Sequence, residues 1–318
     1  MGVSAIIPDM NTSRPASVIP KKIIEQAEEW KITQSFASPA VWKKVADYCT
    51  VHGKVIGTLK RAVSAGAPVS AAILEKLKPC INPKGDIYTP YGATEALPVA
   101  SISAEEVLEE TAFRTNMGCG VCVGSRFPSI EWKVIKITDE PIERFEFAEG
   151  LPQGEVGELI VMGPQVTKMY VNRPQANAAA KMLDDDNRIW HRMGDVGYFD
   201  EHERFWFCGR KAHRVETING TLFTIPCEAV FNQHPAIYRS ALTGSPHSSE
   251  PRIFVEPLPE HYPKTRKQRE QLLAELLELG KRHPNTETLT DIRILKHFPV
   301  DVRHNIKINR ELLTNLVE

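Results

Sequence analysis

Three runs in this 318-residue sequence gather the residue types that handle nucleotides, phosphates and hard cations. The first, Thr89-Pro90-Tyr91-Gly92-Ala93-Thr94-Glu95, reads as a turn just after a predicted strand over Asp86-Ile87-Tyr88. Tyr91 offers an aromatic face to a base, Thr94 a hydroxyl to a phosphate and Glu95 a carboxylate to a cation, while Gly92 lets backbone come close to a ligand. Taken alone, a polar surface turn accounts for the same residues. The second run is Arg192-Met193-Gly194-Asp195-Val196-Gly197-Tyr198-Phe199-Asp200, followed by Phe205-Trp206-Phe207-Cys208-Gly209-Arg210-Lys211. Asp195, flanked by glycine in a turn, can accept both hydroxyls of a ribose, and Arg210 can reach the same nucleotide from the end of a strand. A hairpin with Asp and Gly at its turns is the plainer reading. In the third run, Phe298 to Arg310, Lys307 lies between Ile306 and Ile308. Partly shielded from water, its ammonium would act as a point charge on a reacting phosphate or carboxylate; in isolation it reads as a lysine snorkelling from an edge strand.

Residues so far apart need a scaffold, and the pattern between them predicts one. Pro20 at a first helical position opens a helix over Lys21–Trp30 with Ile23, Ile24, Ala27 and Trp30 on one face, and Ser38-Pro39 opens another over Ala40–Tyr48. Leu59–Ser64 reads as a strand, stopped by Ala65-Gly66-Ala67-Pro68 and followed by a helix through Ile73, Leu74 and Leu77. Strand, tight turn and helix in that order predict an α/β layer. From about Gly120 the texture changes to β-rich runs, Glu131–Thr138, Gly157–Gly163 and Arg204–Cys208, that predict a small all-β subdomain. Beyond Gly209-Arg210 a third part contains a long amphipathic helix over Lys264–Lys281, a strand Ile292–Leu295 and a last helix after Asn309.

With 42% hydrophobic and 25% charged residues, the chain has the composition of a globular protein able to bury a substantial core. A formal net charge of -1 gives no global basic field, so nucleic acid is not an expected partner. The N-terminal residues show no basic region followed by a long apolar run, and no stretch is long enough to span a bilayer, so a cytoplasmic location is the default expectation. The six cysteines are scattered and read as reduced thiols. Cys119 and Cys122 have redox or zinc spacing, but no second pair completes such a site.

In identity and order the three runs resemble the adenylate-forming superfamily of acyl-CoA synthetases, luciferases and peptide-synthetase adenylation domains: Tyr-Gly-x-Thr-Glu, then Gly-Asp-x-Gly-Tyr, then Gly-Arg, then the C-terminal lysine. Ala65-Gly66-Ala67-Pro68 stands where that family has a Gly-Gly-Ala-Pro turn. The resemblance covers essentially the whole chain. It implies an α/β fold: part of the large AMP-binding domain, made of an α/β layer (1–125) and a small β subdomain (126–209), followed by a mobile α+β C-terminal domain (210–318). It further implies ATP/AMP and Mg2+ as cofactors, with Gly66, Ala67, Pro68, Tyr91, Gly92, Thr94, Asp195 and Arg210 toward the nucleotide. Tyr91 would stack on adenine, Thr94 would contact the AMP phosphate, Glu95 would bind the magnesium ion, and Asp195 with Arg210 would hold the ribose. Lys307 would bridge the carboxylate and the α-phosphate.

Within the superfamily the sequence is most similar to the β-lactone synthetases of bacterial long-chain olefin biosynthesis. The likeness rests on Ser64-Ala65-Gly66-Ala67-Pro68-Val69, the run Thr89–Pro98, Gly120-Val121-Cys122-Val123-Gly124, Gly209–Thr217, and Val302-Arg303-His304-Asn305 before Ile306-Lys307. It implies adenylation of a long-chain β-hydroxy acid and closure of a four-membered lactone by its own hydroxyl. Ala212 and Glu216 depart from general acyl-CoA ligases, which carry an Asp or Lys hinge and often a basic residue there. CoA therefore stays an open cofactor and a fatty acyl-CoA ligase the alternative; a non-catalytic AMP-binding fragment is a further one. The superfamily's Ser/Thr/Gly-rich loop ending in Lys-Gly, whose backbone N–H groups cradle phosphates, has no counterpart in the sequence. The expectation is a chain that starts inside the second α/β layer, turns over ATP poorly alone, and leaves a sheet edge for self-association or for a partner supplying the missing half.

Overall fold

Pro20 and Pro39 occupy first helical turns, where a missing N–H costs nothing because no helix satisfies those groups internally. The computed structural model describes residues 4–11, 15–66, 68–245, 248–300 and 308–316. Helix α1 runs Pro20–Glu29 and α2 runs Pro39–His52. The latter stops at Gly53, whose φ of 60° places it in the left-handed region that favours glycine. Between and after them come β1 (Gln34–Ala37), β2 (Arg61–Ser64), α3 (Ala71–Leu77) and β3 (Asp86–Ala93), and β3 turns at Thr94-Glu95 into β4 (Ala96–Ser103).

Two compact units account for the chain: Met1–Gly92 with Pro98–Ala112, and Ala93–Leu97 with Phe113–Glu318. In the first, β1, β2 and β3 are parallel neighbours with Gln34, Arg61 and Asp86 side by side. Ala62 and Ile87 are fully buried and share one core with Trp42, Val45, Leu74 and Leu77 of the helices. Alternate positions turn the other way, and Phe36 on β1, the edge strand, is 71% exposed. Strand β3 runs further than its sequence suggests: Tyr91 and Gly92 lie in the strand, and only Thr94 and Glu95 form the turn. Pro90 is tolerated because the register with β2 ends at Tyr88, beyond which no N–H is needed on that side. A capping box between Ser103 and Glu106 opens α4 (Ala104–Glu106), which continues through a π-helical stretch, Val107–Thr111, into α5 (Ala112–Asn116).

The second unit begins with the short strands β5 (Val121–Cys122) and β6 (Ser125–Arg126), then β7 (Glu131–Ile135), β8 (Gly157–Met162), α6 (Pro174–Ala180), β9 (Lys181–Leu183), β10 (Ile189–Phe199) and β11 (Phe205–Arg210). An antiparallel sheet runs in the order β5-β11-β10-β8-β7, with β9 added to β10. Asp195 therefore lies within a long strand rather than in a hairpin turn. After a hairpin of β12 (Val215–Thr217) and β13 (Gly220–Leu222) follow α7 (Thr224–Phe231), β14 (Ile237–Ser245), β15 (Ser248–Pro257), α8 (Arg266–Lys281), β16 (Asp291–Ile294) and α9 (Arg310–Thr314). Leu272 and Leu276 of α8 pack on Phe231, Leu242, Ile253 and Ile292 in a second core. The N-terminus of α8 is closed by a capping box between Thr265 and Gln268.

Trp42 pins the first unit, since it is 2% exposed and its indole N–H donates to Val63 O at 3.0 Å. Trp42→Ala removes that packing and strands a carbonyl, so chemical denaturation should show a loss of about 3–5 kcal/mol for the first unit. A loss within about 0.5 kcal/mol, the usual range for a surface change, would contradict this placement of the core.

Candidate active site

Glu95 ends a two-residue turn, yet it is held from two directions within the second unit. Its backbone oxygen accepts from Thr167 N at 2.8 Å, beside an antiparallel bridge between Ala96 and Val166. Its side-chain Oε1 accepts from the Tyr170 hydroxyl at 3.0 Å. Tyr170 is fixed in turn by Asn177 of α6, whose Oδ1 accepts from Tyr170 N at 2.6 Å and whose Nδ2 donates to Tyr170 O at 2.9 Å. Lys181 donates to Thr167 O at 2.6 Å and to Thr167 Oγ1 at 3.2 Å, with its ammonium 5.7 Å from the centre of the Tyr170 ring.

Behind these groups stands His191, 3% exposed, with Nδ1 3.0 Å from Ala180 O. A carbonyl only accepts, so Nδ1 carries the proton and Nε2 is the acceptor of a neutral ring. Burial, reinforced by the charge on Lys181, pushes the His191 pKa down to about 4. Burial also opposes ionisation of Glu95, but its own backbone N–H, the Tyr170 hydroxyl and the positive charges of His191 and Lys181 outweigh it and lower its pKa. With His191 neutral above about pH 4, the lasting cation is Lys181. Desolvation lowers the Lys181 pKa against the opposing pull of Glu95. The Tyr170 hydroxyl is pushed up to about 12 by burial and by the neighbouring carboxylate, so it remains a donor.

Strand β10 carries the other acid. Its register shifts against β8 between Arg192 and Val196 and against β11 between Val196 and Gly197, and Gly194 has a φ of 65°. Such an irregularity re-aims a side chain that a regular ladder would hold in line. Asp195 stands opposite Arg210 of β11, and the two form an ion pair at 2.9 Å. Asp195 is buried while the Arg210 side chain is 51% exposed, so the guanidinium reaches solvent from a fixed root. Gly209 precedes it with φ at 137°, and a Cβ there would run into Thr224 Oγ1. Arg192 turns the other way, into a buried pairing with Glu158 at 2.6 Å that Lys211 joins at 3.1 Å, and it donates to Glu140 O at 2.8 Å. That cluster is structural.

Of the residues singled out from the sequence, Thr94 and Glu95 occupy the turn and Asp195 and Arg210 are brought together; all four belong to the second unit. Tyr91 and Gly92, half-buried on β3, belong to the first unit, as do Gly66, at φ 92° with open space around its Cα, and Pro68. Ala67 and Lys307 lie outside the described residues. Tyr170, Asn177, Lys181 and His191 were not anticipated; the one available signal was a histidine at a buried position of the β-run that leads to Asp195. Among the described residues no three His, Cys, Asp or Glu side chains converge to form a metal site, and all six cysteines are free thiols.

A family profile described as AMP-binding enzyme matches residues 2–171. The chain belongs to the AMP-binding enzyme family. Among its members, the olefin β-lactone synthetase of Xanthomonas campestris pv. campestris is 41% identical over 321 residues, which cover 98% of this chain and 56% of that protein. The olefin β-lactone synthetase of Stenotrophomonas maltophilia is 41% identical over 324 residues, with the same coverage of 98% and 56%. The chain thus spans about half the length of the curated relatives it matches. The fold agrees: an amide bond synthetase from Marinactinospora thermotolerans superposes with a TM-score of 0.71 at 20% identity, over 93% of this chain and 55% of that one. An O-succinylbenzoate coenzyme A synthetase from Bacillus subtilis in complex with AMP superposes with a TM-score of 0.69 at 19% identity, over 94% and 54%.

The depressed His191 pKa makes stability depend on pH. Above the ordinary histidine value of 6.5 the ring is neutral folded or unfolded; below it the unfolded chain takes the proton first, and stability falls until about pH 4. Integrated over that window, the loss is roughly 3 kcal/mol. His191→Gln should flatten this part of the stability-against-pH curve, measured by denaturant unfolding from pH 7 to 4. Parallel curves for variant and parent would contradict the burial of a neutral ring.

Proposed function

We propose that this chain supplies the AMP-facing residues of an adenylate-forming ligase that converts a long-chain β-hydroxy acid to its β-lactone through an acyl-AMP. The observation that carries the reading is the pair of fixed acids in the second unit, Glu95 held in its turn with one oxygen engaged and Asp195 aimed from an irregular strand beside Arg210. The identity shared with olefin β-lactone synthetases over nearly the whole chain supports the same substrate class.

In this reading Asp195 accepts the ribose hydroxyls, with Arg210 beside it, Tyr91 packs on the base, Thr94 donates to the α-phosphate, and the backbone at Gly66, Ala67 and Pro68 approaches the nucleotide. A substrate carboxylate oxygen attacks the α-phosphorus and pyrophosphate leaves. Two anions must meet in that step, and Lys307 is assigned to offset their repulsion. The β-hydroxyl oxygen then attacks the acyl carbon, the bond to AMP breaks, AMP leaves with the electron pair, and the hydroxyl proton passes to solvent or a base. That closure is intramolecular, so no thiol acceptor is required. A magnesium ion fits the residues present, because this ion is ordinarily bound by one or two carboxylates together with substrate phosphates, and Glu95 is a single ionised carboxylate. When bound, it would neutralise phosphate charge.

Asp195→Ala should weaken AMP binding about tenfold or more in isothermal titration, a loss of about 1.4 kcal/mol. Equal AMP affinity in parent and variant would sink the ribose assignment. For the reaction, ATP, Mg2+ and a long-chain β-hydroxy acid are given to the chain alone and to the chain mixed with a polypeptide carrying a phosphate-binding loop. Lactone and AMP without CoA are the expected products. A thioester formed only when CoA is added would replace this reading with an acyl-CoA ligase, and AMP binding with no pyrophosphate release in either mixture would leave a nucleotide-binding module.

A further inference from the structure

Glu95 is unusual for a residue at the tip of a turn because its carboxylate is oriented by a neutral donor. The Tyr170 hydroxyl takes Oε1 at 3.0 Å, and no ammonium or guanidinium is bonded to the carboxylate among the described residues. The difference matters chemically. A lysine or arginine bonded to Glu95 would spend its charge and repel an incoming cation, whereas a phenol fixes the geometry and leaves the charge for another ligand. Lys181 stands close, but its hydrogen bonds go to Thr167 O and Oγ1, and Thr167 N holds the backbone oxygen of Glu95.

Two supports therefore converge on one residue. Asn177 clamps both backbone groups of Tyr170, which orients the carboxylate; Lys181 braces Thr167, which anchors the turn. Asn177 lies within α6 and Lys181 opens β9 directly after it, so the two braces sit on adjoining elements. A turn side chain left to itself would sample several rotamers and lose that freedom on binding a ligand. Here one carboxylate oxygen is already held by a hydrogen bond without a ligand.

We infer that Tyr170, clamped by Asn177, is a positioning residue for Glu95, fixing Oε1 so that Oε2 is presented to a hard divalent cation. This rests on the reading of Glu95 as the cation ligand, and the test separates the two. The probe is Mn2+, titrated into the chain with AMP present and followed as free Mn2+ by electron paramagnetic resonance. Thermal unfolding and metal-free AMP affinity are recorded alongside. Tyr170→Phe keeps the ring and removes only the hydroxyl; it should weaken Mn2+ binding about tenfold, the effect usual for an outer partner of a metal ligand, with AMP affinity unchanged. Asn177→Ala should weaken Mn2+ in the same direction and serves if the first variant does not fold, while Glu95→Gln should abolish binding. Variants that melt earlier yet bind Mn2+ as the parent does would show Tyr170 to be only a structural staple and overturn the inference. A parent chain that binds no Mn2+ with AMP would overturn the assignment of Glu95 itself, and the inference with it.

Discussion

A half-buried carboxylate without a cation bonded to it is costly unless hydrogen bonds offset its desolvation, and the second unit is organised around satisfying that requirement at Glu95. The Tyr170 hydroxyl, the backbone N–H of Glu95 and the nearby charge of Lys181 together keep it ionised against burial. Meeting this demand recruits residues from α6, β9 and the segment before them, none of them near the turn in sequence. It also accounts for His191: a protonated ring would add a buried positive charge beside the partly buried Lys181, and the ring instead stays neutral with its Nδ1 proton on a carbonyl.

Strand β10 links this cluster to the second acid. Within a few residues it places His191 behind Glu95, buries Arg192 against Glu158 and Lys211, and then loses register so that Asp195 meets Arg210. The buried Arg192–Glu158–Lys211 group is better regarded as a device for a unique arrangement than as a source of stability, because the desolvation of three charges offsets most of their attraction. Its carbonyl contacts to the segment after β7 hold the irregular part of the strand in place. A loosely held bulge would let Asp195 and Arg210 drift; this one has its neighbours on both sides fixed.

Between the two ion pairs that matter here, exposure sets the role. Arg192 with Glu158 is shut away from water and is unavailable to a ligand. Arg210 with Asp195 has a buried acid and a half-exposed base, so the pair contributes little to stability yet can exchange its contacts for those of a bound molecule. A pair that is preorganised but not sealed is the kind that can serve a ligand.

The elements were largely legible from the sequence alone. Proline at first helical positions placed α1 and α2, the amphipathic repeat of leucines placed α8, and β-rich runs bounded by glycine placed β7, β8 and β11. Thr94, Glu95, Asp195 and Arg210 stood out as candidates by type and order, because the chemistry they would perform needs functional groups that few residues supply. What the sequence could not show was where the strands end. Pairing decided that, extending β3 through Tyr91 and Gly92 and drawing Asp195 into β10, since hydrogen-bonding partners override local turn preference. Nor could it show Tyr170, 75 residues from the Glu95 it orients, or the neutral His191. A tyrosine or histidine has no periodic signature, and its role comes from the partner that folding brings within 3 Å. Only the tertiary structure makes that choice, because orientation and desolvation exist only once the chain has packed.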